Sequence, residues 1–149
     1  MITIGDSMRH MQIRIVPMSF EDEEFKGKDL EYVQKIFFCK TLINEQGWYQ
    51  FKEKGLVADE GDLLLFQMSN SIIACAELIK SERFARKIGD YCGAFWLKCS
   101  TIKIFDPILP DELKTMIPGF KSFNEVKQSF SIEEVDMDKL EPRMNIYSG

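Results

Sequence analysis

The chain has 149 residues, of which 45% are hydrophobic and 29% are charged, and its net charge is −5. This length and balance predict one globular domain and exclude a disordered or membrane-embedded chain. The acidic net charge argues against the strongly basic kind of protein that binds nucleic acid mainly through its phosphates.

No targeting segment is visible in residues 1–16, because Asp6, Arg9 and Arg14 interrupt any apolar stretch that a signal peptide would need. No apolar run approaches the roughly 18 residues of a membrane-spanning helix. We therefore expect a cytoplasmic protein that makes no contact with a membrane.

The cysteine and histidine content argues against a metal site. The four cysteines are widely spaced and form no C-x-x-C pair, so we expect buried free thiols rather than ligands or disulfides. His10 is the only histidine, which removes most histidine-based catalytic and zinc sites. We expect no metal, no cofactor and no catalytic residues.

The first part of the chain predicts a strand followed by a helix. Apolar residues alternate in Gln12–Met18, as in a strand, and an acidic polar loop follows at residues 19–28. Asp29 is a suitable N-cap for a helix that continues to about Ile43. The predicted apolar face of this helix comprises Leu30, Val33, Ile36 and Phe37.

The next segments predict a short helix and then several strands. Residues 48–54 predict a helix that ends at Gly55. Two apolar runs, 63–67 and 72–79, are joined by a short polar turn and predict an antiparallel hairpin buried on both faces. Residues 81–92 predict a basic loop, and residues 94–105 predict one long strand or two short ones.

The last part of the chain predicts short helices. Two prolines, Pro107 and Pro110, are expected to break the sheet before a helix at residues 111–117. Capping boxes at residues 122–125 and 131–134 predict two further helical turns. Strands in the centre with short helices around them predict an α+β fold with a small, partly closed barrel.

Three segments carry a resemblance to a known family. They are the strand Gly-Asp-Leu-Leu-Leu-Phe at 61–66 with its partner at 72–78, the segment 102–108 with Glu112-Leu113, and the closing segment with Phe120, 127–130 and 132–140. Together they resemble the EVE domain of the PUA-like superfamily, which also includes YTH and ASCH domains. The resemblance implies a single domain over 1–149, with loosely ordered tails at 1–11 and 144–149.

The resemblance implies a small PUA-like mixed β-barrel of about five to six strands with flanking short helices. It also implies a nucleic-acid-binding module with a pocket between barrel and helices, which takes a modified, flipped or single-stranded base of DNA or RNA. The pocket residues expected from it are Trp48, Tyr49, Phe66, Gln67, Lys127, Gln128 and Ser129. The residues expected to hold the nucleic-acid backbone are Arg83, Arg86 and Lys87.

Each of these residues also has a structural interpretation. Trp48 and Tyr49 can pin a short helix to the core, Gln67 can face solvent in a hairpin, and the other polar residues can belong to solvated loops. Trp96 is expected in the core. Two other functions stay open: an ASCH-like amidohydrolase acting on an acylated nucleoside through Lys98, Thr101 and Glu77, and a protein-interaction domain.

Overall fold

The computed structural model describes residues 11–53, 56–124 and 128–145. Eight strands form the sheet in this part of the chain. The strands are β1 (Gln12–Met18), β2 (Trp48–Phe51), β3 (Leu63–Met68), β4 (Ser71–Ile88), β5 (Tyr91–Leu97), β6 (Lys103–Ile108), β7 (Ser129–Ser131) and β8 (Met144–Asn145).

The helices are short. The first, α1, spans residues 30–44 and consists of an α-helical turn (Leu30–Tyr32), a π-helical stretch (Val33–Thr41) and a second α-helical turn (Leu42–Asn44). Later come α2 (Pro110–Met116) and α3 (Met137–Leu140), with 3₁₀ turns at Cys99–Thr101, Ile132–Glu134 and Glu141–Arg143. No helix in these ranges is both long and apolar enough to cross a membrane.

The long strand β4 organises the sheet. Its first half pairs with β3 on one edge and with β6 on the other, and its second half pairs with β5. The main path runs β2-β5-β4-β3-β1-β7, and β8 pairs with β6. Only β1 and β3 are parallel among the described pairs. The expected α+β class is confirmed, and the eight strands exceed the five to six expected. These pairings do not close the sheet, so the expected barrel is not confirmed.

The two faces of the sheet bury two separate cores. Along β3, Leu64 and Phe66 belong to the core beneath α1, whereas Leu63 and Leu65 belong to the core covered by α2 and α3. Side chains alternate between the faces of a strand. The continuous apolar run of this strand is therefore explained by burial on both sides, and the predicted hairpin with β4 is confirmed.

The π-helical stretch changes which residues of α1 are buried. The Leu42 N–H donates to the Phe37 carbonyl, five residues back, as π-helical geometry requires. The buried residues are Val33, Phe37, Phe38 and Leu42. Leu30 is half-buried and packs against this core as predicted, whereas Ile36 is half-buried and belongs to neither core, so the predicted apolar face is wrong at Ile36.

Several local predictions are confirmed. The Asp29 carboxylate accepts a hydrogen bond of 2.8 Å from the Tyr32 N–H, as expected of an N-cap. The capping box at 131–134 is present, and the helix expected at 111–117 is α2. The predicted box at 122–125 extends into residues outside the described ranges. All four cysteines are free, two of them buried and two half-buried.

Other local predictions are wrong, among them the break in the sheet expected at Pro107, which lies within β6. Residues 48–51 form the strand β2 rather than a helix, with Tyr49 and Phe51 inward and their neighbours half-exposed. The expected basic loop at 81–92 is instead the continuous end of β4 and the start of β5. The expected C-terminal tail begins with β8, which pairs with Ile104 and Phe105 of β6.

Candidate functional site

A cavity of about 130 Å³ lies at the outer edge of β2, where the acidic loop after β1 and the helix α1 meet the strand. We call it the Tyr91 cavity. Its aromatic lining consists of Phe25, Phe37, Trp48, Tyr49 and Tyr91. Its polar lining consists of Asp22, Glu24, Glu45 and Gln50.

A tight turn places Trp48 at this cavity. Gly47, with φ of 81°, connects α1 to β2 in a conformation that residues with a side chain rarely adopt. Its N–H donates to the Leu42 carbonyl at 2.7 Å, and its carbonyl accepts from the Leu97 N–H at 2.8 Å. A Cβ atom at this position would collide with the Leu97 carbonyl oxygen. Glycine here therefore sets where β2 begins.

The floor of the cavity is formed by packed aromatic rings. The Tyr49 ring lies 5.2 Å from the Phe66 ring and 6.1 Å from the Phe37 ring, and the Phe25 and Phe37 rings meet edge to face at 4.8 Å. Tyr49 is only 7% exposed. Trp48 and Tyr91 are half-buried, so these two rings are the ones that offer surface to a ligand.

The polar side of the cavity is acidic. The Tyr91 hydroxyl donates to the Asp22 carboxylate at 3.4 Å, and the Lys52 ammonium lies 3.6 Å from the same carboxylate. Partial burial, followed by the charges of Asp22 and Glu24, raises the pKa of Tyr91 to about 12. Partial burial, followed by the charges of Glu45 and Asp22, raises the pKa of Glu24. The charges of neighbouring carboxylates thus add to the effect of burial in both groups.

A second cavity of about 310 Å³ continues the first along the edge of β2. Asp22, Phe25, Tyr49 and Gln50 line both cavities. The far wall of the second cavity is formed by Pro17 and Met18 at the end of β1. The two cavities therefore make one cleft along an edge of β2 that pairs with no other described strand.

No family model matches this sequence, and no curated protein does. The geometry of the cleft is therefore the basis for assigning a function, because a fold by itself does not determine one.

Two of the predicted pocket residues, Trp48 and Tyr49, line the Tyr91 cavity. Phe66 does not offer a surface, because it is fully buried against Phe38 and Tyr49. The side-chain amide of Gln67 donates to the Ser69 carbonyl within the β3–β4 turn. This hydrogen bond favours the structural interpretation of Gln67.

The predicted polar segment lies elsewhere. The Gln128 carbonyl accepts from the Ile15 N–H at 2.8 Å, and the Ser129 hydroxyl donates to the Gln12 side chain at 3.2 Å. Both residues contact β1, where β7 forms the opposite end of the strand order from β2, and neither residue lines the cleft. Lys127 lies outside the described residues. The structure therefore does not bring this segment together with Trp48.

The three expected backbone-binding residues lie on β4. The Arg83 guanidinium donates to the Leu56 carbonyl at 2.5 Å and lies 5.8 Å from the Phe51 ring centroid, so it has a structural role at this position. Arg86 and Lys87 are exposed near the end of the strand. Arg83 is exposed as well, so all three side chains face solvent.

The residues named for hydrolase chemistry meet through the backbones of Glu77 and Lys98 and the hydroxyl of Thr101. The Thr101 hydroxyl accepts from the Glu77 N–H at 2.9 Å and donates to the Lys98 carbonyl at 2.6 Å. The Lys98 N–H donates to the Glu77 carbonyl at 2.9 Å, while the Lys98 side chain is exposed. These contacts hold the junction between β5 and β6 in place.

Sequence reasoning missed most of the acidic lining. Asp22 and Glu24 were assigned only to a polar loop, and Glu45 and Gln50 had no role. Half-exposed and buried residues alternate in Trp48–Phe51. This alternation was the available signal that the segment is an edge strand with residues that line a cavity. The position of the loop against that strand is a tertiary contact that no local pattern specifies.

Proposed function

We propose that this protein is a binding module that takes one unpaired nucleic-acid base into the Tyr91 cavity. The observation that carries the proposal is the combination of two half-buried rings, Trp48 and Tyr91, with three carboxylates in one cavity. Stacking on aromatic faces contributes about 1–3 kcal/mol per base. The Tyr91 cavity, with about 130 Å³, is the smaller part of the cleft, and its volume suits a single ring system rather than a larger ligand.

The carboxylates determine which base fits. An ionised carboxylate only accepts hydrogen bonds, so Asp22, Glu24 and Glu45 favour a base edge rich in N–H donors. A positively charged base gains further, because cations are attracted both to carboxylates and to aromatic faces. Guanine, and bases made cationic by ring methylation, meet these requirements. A phosphate would be repelled and would stay outside.

A metal ion is the less suitable occupant of this cavity. Within the described ranges, no three His, Cys, Asp or Glu side chains are grouped so as to hold a metal ion. The aromatic walls also favour a flat organic ligand over a hydrated ion. The proposal therefore assigns the charge of the site to recognition of a base.

The proposal extends to fold and location. A PUA-like barrel is supported by the sharing of β4 between two halves of the sheet and by the approach of β2 to the end of β1 across the cleft. A cytoplasmic location is supported by the four free thiols, which a reducing compartment preserves.

We propose action by binding rather than catalysis, because the Lys98 side chain is exposed while its backbone makes the contacts to Glu77 and Thr101.

A protein-interaction role is the second candidate, and one observation favours it. The cleft follows an edge of β2 that no other described strand pairs with, and an extended peptide can add to such an edge. Glu21, Asp22 and Glu53 on its walls favour a basic peptide. Binding of basic peptides in preference to oligonucleotides would replace the proposed function with this one.

The proposed function is tested with single-stranded oligonucleotides that differ at one central base, titrated by fluorescence anisotropy. We expect saturable binding that depends on the central base and weakens about tenfold or more in Tyr91→Ala. Tyr32→Ala is the matched control, because Tyr32 is a half-buried tyrosine on α1 that does not line the cavity. Binding that ignores the central base, or no binding at all, would overturn the proposal.

A further inference from the structure

Both tryptophans of the protein lie side by side on the solvent-facing side of the sheet. Trp48 of β2 pairs with Trp96 of β5, and Trp96 pairs with Lys80 of β4. Directly paired residues of antiparallel strands project from the same face. The three side chains therefore form one row across three strands, which we call the tryptophan row.

The row is not part of either core. Trp96 is half-exposed and belongs to neither buried cluster, which corrects the expectation that it lies in the core. Lys80 is exposed, and its ammonium lies 4.3 Å from the centroid of the Trp96 ring. A lysine in this position covers an aromatic face that is otherwise open to solvent.

Trp48 connects the row to the Tyr91 cavity, because it lines the cavity and is also the first member of the row. Neighbouring strands are about 4.8 Å apart. When one base of a nucleic-acid strand occupies the cavity, the adjacent nucleotide therefore reaches Trp96 directly, with no intervening nucleotide. No loop or helix is interposed between Trp48 and Trp96, since they are direct partners in the sheet.

The charge of the row is opposite to that of the cavity. The cavity is lined by three carboxylates, whereas the row ends at an exposed ammonium. Glu82, two residues beyond Lys80 on β4, pairs with Ala94 of β5. The positive charge of the row is therefore confined to its end, at Lys80. A phosphate excluded from the cavity finds a favourable charge on the row itself, at the exposed ammonium of Lys80.

We propose that the tryptophan row binds the nucleotide adjacent to the one whose base occupies the cavity. The base of this second nucleotide stacks on Trp96 in place of the lysine side chain, and Lys80 moves to its phosphate. This inference rests on the proposed function. It adds a second subsite, and it makes a dinucleotide step of a single strand the unit that the protein binds.

The test compares a mononucleotide with the dinucleotide that carries one further base, by calorimetric titration of the wild-type protein. We expect the second nucleotide to raise affinity about tenfold or more. Trp96→Val is expected to remove this gain, measured as the ratio of dinucleotide to mononucleotide affinity in the same variant, and Trp96→Phe is expected to retain part of it. Thermal unfolding of both variants establishes that they are folded.

Lysine variants provide the charge control. Lys80→Gln is expected to lower dinucleotide affinity and to reduce the slope of log K against log salt by about 0.7, the value for one phosphate on a single strand. Lys114→Gln removes an exposed lysine from α2, which packs on the other core, and is expected to change neither quantity.

The outcomes separate this inference from the proposed function. Equal affinity for mononucleotide and dinucleotide, or a gain that survives both Trp96→Val and Lys80→Gln, overturns the second subsite while base binding stands. Absence of binding to every oligonucleotide overturns the proposed function and the second subsite together.

Discussion

The Arg14 guanidinium donates a hydrogen bond of 2.5 Å to the carboxylate of Asp62, whose side chain is 2% exposed. The same carboxylate accepts from the Gln12 N–H at 3.1 Å and from the Asp59 N–H at 2.8 Å. Asp62 thus ties the turn before β3 to the start of β1. The Gly-Asp pair that carries the family resemblance has a structural role here.

Asp62→Ala is expected to destabilise the protein by about 3–5 kcal/mol, because it leaves a largely buried guanidinium and two backbone donors without their acceptor. Chemical denaturation measures the loss. Asp59→Ala is the matched control, since its carboxylate is 79% exposed and 3.5 Å from Arg14, and should cost about 0–1 kcal/mol. Equal losses in the two variants would contradict this account of the Gly-Asp pair.

Gln34 of α1 joins the helix to the sheet. Its side-chain amide donates to the Ile73 carbonyl at 2.9 Å and to the Phe105 carbonyl at 2.6 Å, next to the point where the β4–β6 register shifts. Gln34→Leu is expected to cost about 1–3 kcal/mol, because two partly buried carbonyls lose their donor. Lys40→Ala, an exposed change on the same helix, should stay within about 0.5 kcal/mol. Equal losses of stability in the two variants, measured by thermal unfolding, would refute the role of Gln34.

Tyr91 makes stability depend on alkaline pH. Its pKa is raised in the folded protein to about 12, so its neutral form is favoured by folding. The stabilisation is complete below the unfolded pKa of about 10 and is lost as pH rises through the folded value. Burial also raises the pKa of Tyr49 well above its ordinary value, so two tyrosines are expected to ionise late. We expect ultraviolet absorbance to show a smaller ionisation step near pH 12 in Tyr91→Phe, while the late ionisation of Tyr49 remains. A step of unchanged amplitude in Tyr91→Phe would show that the assignment is wrong.

The pKa of Glu24 depends on the negative charge of the cavity. Partial burial is the largest cause of its raised pKa, and Glu45 and Asp22 add to it. Glu45→Gln is therefore expected to lower the pKa of Glu24 part of the way towards its ordinary value, as measured by carboxyl NMR titration. Glu60→Gln, which removes an exposed carboxylate that does not line the cavity, is the control. An unchanged Glu24 pKa in Glu45→Gln would mean that the charge of Glu45 does not act on the Glu24 carboxylate.

The features predictable from sequence are those determined by local pattern. The β3–β4 hairpin follows from two apolar runs around a polar turn, and the Asp29 cap follows from its position before the helix. The start of β2 was mistaken for a helix because Gly55 was taken as a helix end, although Tyr49 and Phe51 alternate with half-exposed neighbours. The buried face of α1 depends on a π-helical stretch that standard helical spacing does not reveal.

The candidate site was only half predictable for a different reason. Trp48 and Tyr49 were found because aromatic clusters can be seen in the sequence. Asp22 and Tyr91 are 69 residues apart and meet only because the loop after β1 folds against the edge of the sheet. Gln128 and Ser129 were placed at the pocket by resemblance, and the pairing of β7 with β1 takes them away from it.

The most direct test of base recognition compares two nucleosides of identical atomic composition by calorimetric titration. 1-Methyladenosine is positively charged at neutral pH, and N6-methyladenosine is neutral. A cavity with the Trp48 and Tyr91 rings and three carboxylates is predicted to bind the charged isomer about tenfold tighter or more, and Glu45→Gln is predicted to narrow the difference. Equal affinity for the two isomers, or preference for the neutral one, would contradict the account.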